Sequence, residues 1–313
     1  MNIRYLQNHE IDQDKWDDCI AHSFNGLVYA YTWYLDAICE EWDALVEGDY
    51  ERVFPLIVKQ KFTIELLYQP FFTQQLGVFS RKILNQDVVT EFINKIPSKF
   101  RYIEINLNAL NKVDGHSFTV IPQLNLELDI INPYEKIKIK YSKNLGMNLK
   151  KASKSQLSLN KNCKPDEVVR LFKENNGKQY RNITASDYLR FKRMIYTAVY
   201  KGMADVYGVY DRTNELCAGG IFIRSHNRAS FLFSGLSKFG KEIAAMPFLI
   251  DSYIQDHAEH HLTFDFEGSN DTQLARFYKS FGAQEVWYPK LILNRMNFIQ
   301  SFAFNIHRKL KKT

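Results

Sequence analysis

Apolar and polar residues alternate in parts of this chain with the period of a strand and in other parts with the period of a helix. One stretch near the C-terminal end shows both patterns in succession. Residues 262–266 alternate apolar and polar side chains, whereas apolar side chains recur at helical spacing from Leu274 to Phe281. Gly268 and Ser269 lie between the two, and this pair predicts a turn followed by a helix N-cap.

The same patterns predict an α+β, mixed α/β protein for the whole chain. Gly282 should end the helix just described, because glycine readily adopts the positive φ of a helix C-terminus, and a strand follows at 285–293. Other helices are predicted at 16–24, 32–41, 85–96, 141–153, 165–175, 186–200 and 243–260. Other strands are predicted at 44–47, 52–59, 61–68, 103–107, 124–130, 204–210, 216–224 and 228–234.

A basic amphipathic helix at 141–153 marks the predicted boundary between two domains, 1–135 and 136–313. Nine lysines and no Asp or Glu lie between residues 136 and 164, so the net charge of +6 is concentrated there. Dense lysine favours a phosphate-rich partner such as tRNA, a nucleotide-linked substrate or anionic lipid. The plainer alternative is a solvated helix and linker.

Length and composition restrict the class of protein. With 313 residues and 45% hydrophobic content, the chain is long enough for two cores. It lacks any apolar run of about 18 residues and a signal-peptide pattern, so we expect a cytoplasmic protein with no transmembrane segment. The four cysteines form no Cys-x-x-Cys pair, which argues against disulfides and zinc. His257 and His261 have the spacing of metal ligands, but nothing nearby completes a site, so we predict no metal.

Several motifs give the chain a resemblance to a known family. They are Phe-Asp-Phe-Glu at 264–267, Phe-Tyr-Lys-Ser-Phe-Gly at 277–282 and Lys-Lys-Ala at 150–152. Together with the order of elements, they resemble the GNAT acyltransferase superfamily, in particular its bacterial FemAB-like branch. The resemblance implies two tandem GNAT-like domains, each a mixed, mostly antiparallel sheet flanked by helices. It also implies transfer of an acyl group from acyl-CoA, or an aminoacyl group from aminoacyl-tRNA, to an amine, with no tightly bound cofactor.

The resemblance further implies roles for two residues. Acyl transfer requires that the amine lose a proton and that the leaving group gain one. Glu267, at the end of its strand, is the candidate base, and Tyr278 matches a tyrosine that protonates the leaving thiolate in GNAT-like enzymes. A structural carboxylate and core packing are the respective alternatives. Asp265 should point to the other side of the strand, since alternate residues face opposite ways.

Residues 235–242, Gly-Leu-Ser-Lys-Phe-Gly-Lys-Glu, follow a predicted strand and precede a predicted helix. The spacing matches a nucleotide-binding loop, but Glu242 stands where that loop needs Ser or Thr for magnesium, which disfavours ATP or GTP hydrolysis. GNAT enzymes hold the pyrophosphate of acyl-CoA at the corresponding place, although Ser237 and Glu242 depart from their usual signature. The predicted donor-binding residues are Gly235, Lys238, Gly240, Lys241 and Asn270; for the two lysines, simple surface exposure is the alternative.

A second unusual segment lies at 68–80, where glutamines and aromatics stand beside Pro70 and Gly77. Such a segment is a poor regular strand and a plausible pocket wall. The predicted substrate-binding residues are Gln69, Phe71, Gln74 and Gln75. The alternative is an irregular core strand whose amides satisfy backbone groups.

The sequence leaves several functions open within this class. The acceptor that the resemblance implies is an amine on a small molecule or on a cell-wall or lipid precursor. A catalytically silent GNAT module that binds a ligand or partner is the alternative to an enzyme, and a binder of tRNA or a lipid surface is a third possibility. The most informative observation would be whether a groove beside residues 235–243 is open and positively lined or is filled by side chains.

Overall fold

The computed structural model of the chain describes residues 2–61, 64–115, 118–177, 183–298, 300–302 and 304. Contacts divide the chain into two compact units. Unit 1 comprises Met1–Pro122 and Tyr288–Thr313, and unit 2 comprises Gln123–Trp287. The sequence predicts a single boundary at 135/136. The contact division differs at two places: residues 123–135 belong to unit 2, where 127–129 pair with 263–265, and residues 288–313 belong to unit 1, where 290–294 pair with 102–106.

Unit 1 contains a mixed sheet with helices. Its strands are β1 (Ile3–Leu6), β2 (Glu41–Glu47), β3 (Arg52–Lys61), β4 (Ile64–Tyr68), β5 (Phe79–Ser80), β6 (Phe100–Asn106) and the end of β13 (Gln284–Asn294). Its helices are α1 (Gln13–His22), α2 (Thr32–Ile38) and α3 (Gln86–Asn94). The strand order is β1-β2-β3-β4-β6-β13, with β5 beside β3. All these pairings are antiparallel except that of β4 with β6.

Unit 2 repeats this architecture. Its strands are β7 (Thr119–Asp129), β8 (Ser158–Asn160), β9 (Ala204–Tyr210), β10 (Leu216–Ser225), β11 (Arg228–Leu236) and β12 (Thr263–Asp265). The first four residues of β7, 119–122, belong to unit 1. Its helices are α4 (Tyr134–Lys138), α5 (Lys143–Lys154), α6 (Pro165–Asn175), α7 (Ala185–Tyr200), α8 (Lys238–Glu242), α9 (Ala245–His257) and α10 (Thr272–Lys279). The order is β7-β12-β11-β10-β9-β8, and only β11 with β12 is parallel.

Helices cover both faces of the unit 2 sheet. A Cβ atom on Gly219 would lie 2.7 Å from Val168 of α6, and one on Gly220 would lie 2.8 Å from Leu249 of α9. Neighbouring strand residues point to opposite faces, so α6 and α9 lie on opposite sides. The α9 face holds the aromatic core, in which the rings of Phe222 and Tyr253 stack at 3.7 Å.

Most predicted elements are confirmed, and α6 and β9 have the predicted bounds. The helix at 32–41 ends at Ile38, because β2 begins at Glu41. Helix α10 begins at Thr272 rather than after Ser269, because the Asp271 side chain accepts hydrogen bonds from the first free N–H groups. Gly282 has the predicted positive φ, 82°.

The segment 235–242 is not the loop that the sequence predicts. Gly235 ends β11 together with Leu236, and most of the remainder forms the short helix α8. Ala244, with a left-handed φ of 60°, separates α8 from α9. No helix within the described ranges has the length and hydrophobicity that a bilayer-spanning segment requires.

Candidate functional site

Strands β11 and β12 begin as a parallel pair and then separate. Their register runs from Arg228 opposite Thr263 to Ser230 opposite Asp265. Beyond that point β11 continues to Leu236, whereas β12 ends. A cavity of about 430 Å³ lies beside this free part of β11, and α5, α6, α8, α9 and α10 supply its other walls.

The carboxylate of Asp265 holds the turn that takes the chain away from β11. Its Oδ1 accepts hydrogen bonds from the backbone N–H of Glu267 at 3.0 Å and from Asn125 Nδ2 at 2.9 Å. Glu267 and Gly268 both have left-handed φ, 51° and 56°. Asp265 lies on the opposite side of β12 from the two core phenylalanines that flank it. Alternation does not separate Asp265 from Glu267, because residues two apart share a face of a strand, so that part of the sequence argument was wrong.

Arg228 is the positively charged member of a cluster that it forms with Asp265 and Glu127. Its Nη1 lies 2.8 Å from Asp265 Oδ2 and 2.7 Å from Glu127 Oε1. Burial alone would lower the pKa of Arg228, but the two carboxylates raise it above its ordinary value, so the guanidinium remains charged. The cluster therefore fastens β11, β12 and β7 together just before β11 and β12 separate.

Helix α10 forms the wall on the β12 side. Leu274, Phe277 and Tyr278 line the cavity. Tyr278 is buried, and its ring lies 4.8 Å from that of Phe266. The Asp271 cap sets where this helix begins and thus which of its residues face the cavity.

The opposite wall is α8 and the start of α9. Ser237 caps α8 by accepting a hydrogen bond from the N–H of Gly240 at 2.8 Å. Gly240, Lys241, Ala244 and Met246 then face the cavity. Because α8 packs closely on β10 at Gly240, the backbone of Lys241 is held beside the cavity.

The cavity is mainly apolar. Its polar side chains are Asn148 of α5, Asn176 after α6, Ser234 of β11 and Lys241 of α8. Of the lining residues in the described part of the chain, Lys241 alone is charged. The arrangement suits a slender, uncharged arm carrying a few hydrogen-bonding groups, with an anionic group near Lys241.

The structure places the two predicted catalytic residues differently. Tyr278 lines the cavity, and its role as the leaving-group acid stays a prediction. Glu267 is half-buried at the turn after β12 and is not among the described lining residues. Its backbone carbonyl accepts a hydrogen bond from Ser269 Oγ at 2.9 Å. Its role as a base remains a prediction.

The predicted donor-binding residues divide into three groups. Lys241 and Gly240 line the cavity. Gly235 instead allows close packing, since a Cβ there would lie 2.7 Å from the carbonyl oxygen of Val168. Lys238 is exposed, and Asn270 accepts a hydrogen bond from the N–H of Leu124 at 3.0 Å. Asn270 lines a separate concavity of about 520 Å³, with Arg276 and Trp287.

The predicted substrate-binding glutamines mostly form hydrogen bonds within unit 1, chiefly with its backbone. Gln69 Nε2 donates to the carbonyl of Thr73 at 2.8 Å, and Gln75 Oε1 accepts from the N–H of Ala109 at 3.0 Å. Gln75 Nε2 donates to Gln74 Oε1 at 2.6 Å. These contacts match the alternative of a packed, irregular strand.

One concavity does adjoin this segment. It measures about 290 Å³ and includes Gln69, Glu104 and Lys290 among its lining residues, whereas Phe71 is 44% exposed outside it. Lys290 Nζ lies 2.5 Å from Glu104 Oε1, so opposite charges meet there. Gln69 is thus the one predicted substrate-binding residue that reaches a described cavity.

His257, the last residue of α9, has structural contacts. His257 stacks on Tyr253 with ring centres 4.1 Å apart, and its Nδ1 lies 3.0 Å from the carbonyl oxygen of Tyr253. Within the described residues, no group of three or more His, Cys, Asp or Glu side chains has a metal-binding arrangement.

Sequence reasoning missed the polar residues that face the cavity from other elements. Asn148 and Asn176 come from α5 and from the end of α6, and Ser234 comes from within β11. Each is a small polar residue beside an apolar face, a pattern common on any surface. Met246 lies in a helix whose apolar residues predict only core packing.

Comparison with known proteins identifies this architecture. No known family profile matches the chain, and no curated protein matches it significantly in sequence. The structure of FemX matches with a TM-score of 0.62 and 11% identity, over 92% of this chain and 97% of FemX. A tandem GNAT protein from the clavulanic acid biosynthesis pathway matches with a TM-score of 0.53 and 11% identity, over 95% and 99% of the two chains.

A third match carries the same fold. It is the C-terminal domain of a putative lysylphosphatidylglycerol synthetase from Agrobacterium fabrum, with a TM-score of 0.54 and 9% identity over 94% of each chain. The chain therefore has the FemAB-like tandem GNAT fold that its motifs predict. At these identities the likeness concerns the fold, so the function must be argued from the site.

Proposed function

We propose that the protein transfers an acyl group from a CoA thioester to an amine. The observation that carries this proposal is the apolar cavity between the separating parallel strands β11 and β12, with Tyr278 in its wall and Lys241 as its only charged described residue. The pantetheine arm of CoA is slender, uncharged and carries two amides, which suits this lining. The fold shared with FemX and the tandem GNAT protein supports the same class of reaction.

The reaction needs two proton movements. The amine nitrogen attacks the thioester carbonyl carbon, the C–S bond breaks and an amide forms. The hydroxyl of Tyr278 gives its proton to the departing sulfur, which leaves as the CoA thiol, and Tyr278 regains a proton from water. Glu267 is the proposed base that accepts the proton of the amine, directly or through water.

The lining favours an uncharged acyl group over an aminoacyl group. An α-ammonium group carries positive charge below its pKa of about 8. Among the described lining residues no carboxylate faces it, and Lys241 would repel it. A CoA donor instead supplies phosphates that Lys241 can pair with.

Aminoacyl-tRNA remains the second donor, because one observation favours it. Lys143, Lys150, Lys151 and Lys154 of α5 are exposed, and none has a carboxylate within ion-pairing distance among the described residues. The same helix contributes Asn148 to the cavity. If tRNA binds this face, its affinity should fall steeply as the salt concentration rises. Substitution of Lys150, Lys151 and Lys154 by alanine should then make that fall less steep. CoA binding would not depend on these lysines.

The proposed acceptor is an amine on a small molecule or on a cell-wall or lipid precursor, within the bacterial cytoplasm. A fold in common with a putative lysylphosphatidylglycerol synthetase domain supports the lipid option. A catalytically silent module that binds CoA or another ligand is the alternative function.

Thiol release from acetyl-CoA and longer acyl-CoA thioesters, measured with a panel of amines, tests the proposal. We expect amine-dependent release, with Tyr278→Phe lowering the rate on the order of 10²-fold. Tyr200→Phe is the matched control, because Tyr200 is 91% exposed on α7. Binding of CoA without thiol release from any pair would favour the silent module.

A further inference from the structure

We propose that the chain has a single donor site, in unit 2, because unit 1 carries a closed copy of the same strand arrangement. This inference rests on the proposed function, since it concerns where the CoA donor binds. Each unit has one parallel strand pair whose members are joined through a helical segment: β4 and β6 in unit 1, and β11 and β12 in unit 2.

In unit 2 the pair is open. Its register ends at Ser230 opposite Asp265, and the chain then turns away through the two left-handed residues after Phe266. In the described part of the chain, the rest of β11 has no backbone partner on the β12 side. The cavity of about 430 Å³ occupies that space.

In unit 1 a side chain continues the pair. Regular pairing of β4 with β6 ends at Tyr68 opposite Glu104. The next residue, Gln69, then takes the place of a backbone peptide: its Oε1 accepts from the N–H of Asn106 at 2.9 Å, and its Nε2 donates to the carbonyl of Thr73 at 2.8 Å. The amide therefore bridges β4 and β6 at the place in unit 1 that corresponds to the point in unit 2 where β11 and β12 have separated.

Backbone pairing then resumes beyond this amide. Leu76 forms a parallel bridge with Leu107. The N–H of Leu76 donates to the carbonyl of Asn106 at 2.9 Å, and the N–H of Asn108 donates to the carbonyl of Leu76 at 2.7 Å. Asn106 Nδ2 also donates to the carbonyl of Gln74 at 2.9 Å. A ligand arm could enter between these strands only by breaking this continuous set of hydrogen bonds.

The concavity of about 290 Å³ beside Gln69 does not provide an equivalent site. It contains the ion pair of Lys290 with Glu104, and Tyr102 donates a hydrogen bond to the same carboxylate at 2.8 Å. A carboxylate in the wall repels phosphates, and its lysine is already paired. The chemistry of this concavity therefore differs from that of the unit 2 cavity, where none of the described lining residues is a carboxylate that could pair with Lys241.

Calorimetric titration of the full chain with CoA tests this inference. We expect one CoA per chain. Leu274→Trp, which fills the unit 2 cavity from α10, should abolish binding, and Lys241→Ala should weaken it at least tenfold. Lys290→Ala, in unit 1, should leave both stoichiometry and affinity within twofold of the unsubstituted protein, with thermal unfolding confirming that each variant is folded.

Two CoA molecules per chain, or one whose binding survives Leu274→Trp but is lost in Lys290→Ala, would overturn the single-site inference while leaving acyl transfer possible. No binding of CoA at any concentration tested would overturn the proposed donor as well. These two failures are therefore distinguishable in the same titration.

Discussion

Gly240 packs directly against the carbonyl oxygen of Cys217: a Cβ atom on Gly240 would lie 2.2 Å from that oxygen. The contact joins α8 to β10 and leaves no room for a side chain. The sequence motif predicts that Gly240 contacts a ligand. The structure gives this glycine a packing reason as well, and that packing holds Lys241 at the cavity.

Gly240→Ala should therefore lower the free energy of unfolding by about 1–3 kcal/mol, since overpacking at a backbone contact forces a shift of α8. Urea unfolding measures the change. Gly146→Ala is the matched control, because Gly146 lies in α5 and a Cβ there meets nothing within 4 Å. It should be neutral or stabilising by up to about 1 kcal/mol. Equal effects of the two substitutions would contradict this account.

Asp265→Ala should be among the more damaging substitutions of unit 2. It removes one partner of the largely buried Arg228 and the acceptor that holds the turn at Glu267. Because Glu127 still pairs with Arg228, we expect a loss of about 2–4 kcal/mol in unfolding free energy, somewhat under the full cost of breaking a buried pair. Asp49→Ala, which breaks an exposed pair with Lys15, should cost under about 1 kcal/mol. A loss at Asp265 no larger than at Asp49 would show that the cluster does not hold the turn.

Asp251 should make a stability contribution that depends on pH. Burial raises the pKa of Asp251 above 3.8, although hydrogen bonds from Tyr134 at 2.9 and 3.0 Å oppose the shift. The folded state then binds the proton more tightly than the unfolded state, so stability falls as pH rises from 3.8 through the folded pKa. The Asn side chain of Asp251→Asn does not titrate, so the variant escapes this loss. Its free energy of unfolding relative to that of the unsubstituted protein should therefore increase between about pH 4.5 and about pH 7.5. Urea unfolding at both pH values checks this, and a relative stability that decreases would have the wrong sign.

The cysteines should react slowly while the protein is folded. All four are buried, and burial raises the pKa of the Cys19 thiol to about 11. Since the thiolate is the reactive form, iodoacetamide near neutral pH should label Cys19 far more slowly in the native protein than in urea. Peptide mass spectrometry measures the rate for each site. Labelling of native Cys19 at the unfolded rate would show that the α1 region opens readily.

Much of the fold could be predicted because its elements have strong local signals. Helix α6 has a proline at its start and a clear apolar face, and Gly282 ends α10 with a positive φ. The start of α10 was less predictable, since Ser269 and Asp271 are both good N-caps and only the turn at Glu267 decides between them. The short strands β1 and β8 depend on partners distant in sequence, so local periodicity does not reveal them.

The site was predictable only in part. A motif marks Tyr278 and a spacing marks Lys241, and both line the cavity, whereas their roles stay predictions. The Gln69 side chain forms the hydrogen bond to Asn106 that a backbone peptide of a paired strand would form. This role depends on Asn106 lying opposite Gln69 in the sheet, and the sequence around Gln69 does not reveal that. The same limit applies to Asn148 and Asn176, whose approach to one cavity results from the packing of α5 and α6.

The central claim is that the gap between β11 and β12 receives the donor, and a crystal structure of the protein with CoA tests it most directly. We predict that the pantetheine arm lies along the free part of β11, with its sulfur near the hydroxyl of Tyr278 and its phosphates toward Lys241. CoA bound elsewhere, with this gap filled by protein side chains, would contradict the claim.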